Sequence, residues 1–159
     1  AHNTGQKVIP IVIDSYGGEV YSLMSMIADI KSSTLPVATI VQGKAMSCGA
    51  ILFTFGNKKM RYMDPNATVM IHDVSSGMFG KIEELKADVK EADRLNKIIF
   101  GMMAENCGKK DPEYFLRKLK KRNRADWYLD ANQCLRYRIA SELRVPQFNI
   151  DIGVDIEFK

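Results

Sequence analysis

Two kinds of apolar spacing alternate along the chain. Val8-Ile9-Pro10-Ile11-Val12-Ile13 is a continuous, β-branched run closed by Asp14-Ser15-Tyr16-Gly17-Gly18, which predicts a buried strand ending in a glycine turn. Val20, Leu23, Met24, Ile27 and Ile30 then recur at helical spacing until Ser32-Ser33-Thr34-Leu35-Pro36 closes the segment. Residues 37–41 form a second buried run, so two strands joined by a helix predict a right-handed βαβ unit with parallel strands. Beyond it, the small residues of Gln42-Gly43-Lys44-Ala45-Met46-Ser47-Cys48-Gly49-Ala50 predict a sharp turn with close packing. The apolar residues 51–55 then read as a buried helix whose first turn lies near Ser47.

Residues 59–63 and 68–71 predict further strands separated by the turn Asp64-Pro65-Asn66, and residues 72–80 are irregular and rich in Ser and Gly. Over residues 81–105, Ile82, Leu85, Val89, Ala92, Leu95, Ile98, Ile99, Met102 and Met103 share one stripe of a charged segment, a long amphipathic helix that needs a partner surface. Asn106-Cys107-Gly108 ends it, and Asp111-Pro112-Glu113 starts another helix with a cap and a first-turn proline. After Asp126-Trp127-Tyr128-Leu129 a last short helix begins near Asp130, and residues 145–159 read as an extended tail. The class is α/β. With no repeat, linker or composition break, residues 1–159 read as one domain.

Composition narrows the function classes. At 159 residues, 46% hydrophobic, 26% charged and a formal net charge of +4, the chain has the profile of an ordinary soluble domain. Three cysteines (Cys48, Cys107, Cys134), with no C-x-x-C spacing and no neighbouring histidine, point to neither a disulfide framework nor a zinc site; a reducing, cytoplasmic setting is expected. Residues 49–55 are far too short to span a bilayer, and the polar start lacks the apolar core of a signal peptide. Arg117, Lys118, Lys120, Lys121, Arg122 and Arg124 read as a solvated helix face. Without interleaved aromatic residues they make no base-stacking platform, and nucleic acid is not the expected partner.

Of two histidines, His2 sits in the polar terminus, and His72 directly follows the predicted strand 68–71, where α/β folds present functional side chains. Taken alone it is more often a satisfied strand-end residue. Ser47 lies among Gly43, Ala45, Gly49 and Ala50, which let backbone approach a ligand closely, although a serine at a helix start is commonly an N-cap. Gly17-Gly18 is an ordinary turn pair whose N–H groups could also bind an oxyanion.

Together these elements carry a family pattern. Ile13-Asp14-Ser15-Tyr16-Gly17-Gly18-Glu19-Val20, Gly43-Lys44-Ala45-Met46-Ser47-Cys48-Gly49-Ala50 and Pro65-Asn66-Ala67-Thr68-Val69-Met70-Ile71-His72 resemble, in order and spacing, the proteolytic subunit of the Clp protease (ClpP). The resemblance covers residues 8–145 and implies a ClpP/crotonase-like fold of repeated β-β-α units with a protruding long handle helix, the handle region being about 73–107. It implies Ser47 as nucleophile, His72 as general base and Asp126 as the orienting acid, because Asp126-Trp127-Tyr128-Leu129-Asp130-Ala131 is similar to the family's aspartate motif. Asp73 is a competing carboxylate, but an adjacent strand residue normally points to the opposite face. The backbone N–H groups of Gly18 and Cys48 are implied as the oxyanion hole. A thiol beside the nucleophile raises a cysteine peptidase as a weaker reading. No metal or organic cofactor is expected, since carboxylates do not cluster with histidine and the glycine elements match no phosphate-binding motif; ATP would be spent only by a partner unfoldase.

The resemblance further implies unfolded polypeptide substrates, an AAA+ unfoldase partner and homo-oligomeric, heptameric rings, possibly stacked as a tetradecamer through the long helix and the adjoining 75–80 segment. Tyr16 stands where the family usually has proline, and Asp73-Val74 where it has Gln-Pro; both border the implied substrate cleft. Arg136-Tyr137-Arg138-Ile139-Ala140 matches loosely, and the family's N-terminal pore-loop segment has no counterpart before Val8, the expectation for a fragment, a processed form or a short divergent relative. Two rivals are carried forward: a catalytically inactive ring subunit of the same fold, and a crotonase-fold acyl-CoA enzyme.

Overall fold

The computed structural model describes residues 5–75 and 79–147. The β-branched run forms β1 (Ile9–Ser15), the helical stripe α1 (Val20–Ser32), and the second run β2 (Val37–Met46). β1 and β2 pair in parallel from Ile9↔Val37 to Ile13↔Val41, as the βαβ pattern requires. After a short α2 (Cys48–Phe53) come β3 (Arg61–Met63) and β4 (Thr68–Ile71), which follow one another along the same edge of β2. β5 (Trp127–Leu129) closes the sheet antiparallel to β4, so the path is β1-β2-β4-β5 with β3 also on β2. α3 (Ile82–Asn106), α4 (Tyr114–Lys120) and α5 (Ala131–Tyr137) complete the mixed α/β architecture.

The expected turn at 42–46 is instead strand. Beyond Ile13↔Val41 the next pair is Ser15↔Ala45, so β2 spends two more residues than β1 and bulges around Gly43. A Cβ at Gly43 would stand 3.2 Å from Asp14 Oδ1, and Lys44 Nζ reaches the same oxygen at 2.8 Å. The glycine that signalled a turn marks a bulge, because Lys44–Met46 finds a fresh partner in β4.

Phe53 of α2, Met63, Val69 and Leu129 belong to one buried core, to which α1 contributes Leu23 and Ile27. α3 buries only its C-terminal half, through Leu95, Asn96, Ile99, Phe100, Met103 and Ala104, while Ile82 and Val89 are 71% and 62% exposed. The basic run is not one helix face: α4 stops at Lys120, Arg117 pairs with Asp111, Arg122 lies over the Trp127 ring, and Arg124 pairs with Asp73. Asp111-Pro112-Glu113 forms a turn, Asp111 Oδ1 accepting from Glu113 N, one turn before α4 begins. Asp130 caps α5 as a capping box with Gln133. Residues 145–147 form no strand, and the rest of the expected tail, residues 148–159, lies outside the described residues, as do residues 76–78 of the 75–80 segment. Among the described residues no helix is long and apolar enough to cross a membrane.

Candidate active site

Ser47 is the single residue between β2 and α2. Its N–H continues the β2–β4 ladder by donating to Met70 O at 2.8 Å, while its carbonyl starts α2 by accepting from Ala50 N at 3.0 Å and Ile51 N at 3.3 Å. Serving strand and helix at once forces φ 54°, ψ −121°, a conformation rare for a residue with a side chain and characteristic of sharp functional turns. Although Ser47 occupies the N-cap position, its hydroxyl makes no cap hydrogen bond. It meets His72 instead, with Oγ and Nε2 2.8 Å apart.

His72 follows the last residue of β4, and the β4–β5 ladder explains what lies beside it. The registered pairs run Val69↔Leu129, Met70↔Tyr128 and Ile71↔Trp127, so His72 and Asp126 are the first residues past the end of the ladder on each strand. Asp126 Oδ1 stands 3.8 Å from His72 Nδ1, close enough for electrostatic attraction but beyond hydrogen-bond reach, with the carboxylate half exposed. Asp73, the competing carboxylate, is engaged by the Arg124 guanidinium. The three side chains separated by 25 and 54 positions are thus brought together around one imidazole. His2 lies outside the described residues.

Ser47 and His72 line a cleft of about 250 Å³ together with Gly18, Cys48 and apolar walls that include Val20, Ile51 and Phe100. Gly17 makes the close approach possible: it has φ +112°, and a Cβ there would stand 2.6 Å from Ser47 Cβ. Cys48 opens α2, and its N–H is among the helix-start donors without an acceptor inside the helix. The Cys48 thiol is buried and donates to Gly18 O at 3.1 Å, and burial pushes its pKa above the ordinary 9.0. A neutral, hydrogen-bonded thiol is a poor nucleophile, which weighs against the cysteine-peptidase reading.

The tertiary structure also brings in residues that the sequence reading did not assign. Gly17 was visible only as half of a glycine pair, and its contact with Ser47 crosses 30 positions. Arg124 was one cation among six, with no local pattern to single it out. Chemically, a hydroxyl hydrogen-bonded to an imidazole in such a cleft can lose its proton to the ring as it attacks an electrophile. The family model described as Clp protease matches residues 1–146, which takes in every element from β1 to α5 and all of Ser47, His72 and Asp126. The fold, this geometry and that match agree, and the chain belongs to the Clp protease family.

Proposed function

We propose that the chain is a serine endopeptidase subunit that hydrolyses peptide bonds of unfolded polypeptides inside a ring assembly. Ser47 Oγ attacks the scissile carbonyl while His72 Nε2 accepts its proton. His72 then returns that proton to the leaving amine, and water repeats the sequence on the acyl-enzyme. Asp126 orients the ring and stabilises the imidazolium, closing from 3.8 Å to hydrogen-bond distance as the substrate complex tightens. The N–H groups of Gly18 and Cys48 face the developing oxyanion, each supplying on the order of 3 kcal/mol. Acid, base and nucleophile are all side chains, so the proton balance closes without a metal or organic cofactor, and ATP enters only through an AAA+ unfoldase that delivers unfolded chain. The reading is carried by one observation: a serine held at φ 54° makes a 2.8 Å contact to an imidazole rather than capping its own helix.

The exposed N-terminal half of α3 supports the assembly. Ile82, Leu85 and Val89 line one side of that helix without a buried residue among them, the arrangement expected of a handle that finds its partner in another subunit.

A fluorophosphonate probe and a fluorogenic peptide test the chemistry. The expected result is covalent labelling at Ser47 and peptide turnover, both abolished in Ser47→Ala. No labelling in any assembly state would mark the chain as a non-catalytic ring subunit, and thioester turnover without peptidase activity would favour the acyl-CoA reading.

A further inference from the structure

The β4–β5 ladder stops at Ile71↔Trp127, and His72 and Asp126 lie just past it. On their other side the two strands are joined again, by side chains: Asp73 Oδ2 pairs with Arg124 Nη1. His72 and Asp126 therefore sit between a backbone ladder and an ion pair. The backbone before Asp126 is a hydrogen-bonded turn, Ala125 N donating to Arg122 O at 3.1 Å, and it brings Arg124 to Asp73. Arg122 N and Arg124 N both donate to Leu119 O, at 2.8 and 3.0 Å, and Asn123 and Arg124 adopt φ 55° and 57°, which residues with side chains rarely hold. No hydrogen bond ties the Asp126 carboxylate among the described residues, and its nearest charged partner is His72 Nδ1 at 3.8 Å. Asp73, for its part, is mostly buried at 18% exposure, its Oδ1 has no hydrogen-bond partner, and its Oδ2 is held by Arg124.

We infer that Asp73 and Arg124 are positioning residues that hold Asp126 against His72 where the sheet no longer does. For its catalytic consequence the inference rests on the peptidase reading above. The juxtaposition itself is independent of activity.

The test is a cycle read on the His72 imidazole by NMR of the full chain labelled with 13C-histidine, His72 being distinguished from His2 by a His72→Gln sample. Asp126→Asn is introduced into the parent, into Arg124→Gln and into Asp73→Asn. In the parent it replaces the carboxylate beside Nδ1 and moves the His72 ring signals. In either clamp variant the same substitution is expected to shift His72 by less than a third as much, and the exchanged pair Asp73→Arg/Arg124→Asp is expected to restore the full shift. Turnover in Arg124→Gln should fall roughly 10- to 100-fold in kcat with KM within about twofold, the pattern of a misplaced catalytic group. Equal His72 shifts in all backgrounds, or no shift in the parent, overturn the inference. Should Arg124→Gln fail to fold, Arg124→Lys, which keeps charge without the planar fork, completes the cycle with Asp73→Asn. Failure of the peptidase reading looks different: Ser47 stays unlabelled while the cycle behaves as described.

Discussion

Single residues around Ser47 do two jobs each, and that is why few substitutes fit. Gly17 supplies a positive φ and vacates the space that Ser47 fills, so Gly17→Ala carries both a backbone and a contact penalty. Its expected outcome is a stability loss of about 1–3 kcal/mol by denaturant titration and at least a tenfold slower acylation of Ser47. Gly18→Ala isolates the backbone penalty, because φ there is +158° while a Cβ meets nothing within 4 Å. At this scale Ser47 and His72 were legible through the resemblance, since each sits in a run that carries part of the family pattern. Whether the hydroxyl would cap α2 or turn to His72 was not legible. That choice depends on β4 lying beside β2, a contact between residues far apart in the chain. Arg124 was unreadable for the same reason, its partner lying 51 positions away.

Elements were read well where burial follows one period and poorly where it changes along the element. β1, α1, β4 and α3 begin and end within about two residues of their expected bounds. β2 overran its prediction because a glycine bulge and a turn have the same local chemistry. Trp127-Tyr128-Leu129 carries too little pattern to predict a strand, and pairing with β4 makes it one. α3 shows the reverse, a uniform stripe with two different environments. Phe100, 1% exposed, packs in the core, and Phe100→Ala should cost about 3–5 kcal/mol. Val89, 62% exposed, should tolerate alanine within about 0.5 kcal/mol in the isolated subunit. Urea unfolding of the two variants under dissociating conditions checks the contrast, and equal losses would show that the N-terminal half is buried within the subunit after all.

At the scale of the whole molecule, the exposed apolar residues of the N-terminal half of α3 are where the proposed assembly is tested. Replacing Val89 with glutamate puts a charge into the apolar stripe, and the variant is expected to sediment as a smaller particle than the parent while keeping the same circular dichroism. Unchanged particle mass would remove α3 from the subunit contact. Across the molecule, local periodicity and turn chemistry by themselves determined the α/β class, the parallel start of the sheet and the long helix, while the roles of Ser47 and His72 came only with the family resemblance. The first three are written in neighbouring residues through the 2.0 and 3.6 repeats and the special backbone of glycine and proline. Only the tertiary structure decided which hydroxyl contact Ser47 makes, where the β4–β5 ladder ends, how near Asp126 comes to His72, and that Arg124 belongs to Asp73. Those are pairings between elements, set by how a shared core brings distant stretches of chain into register, and no window of the sequence contains both partners.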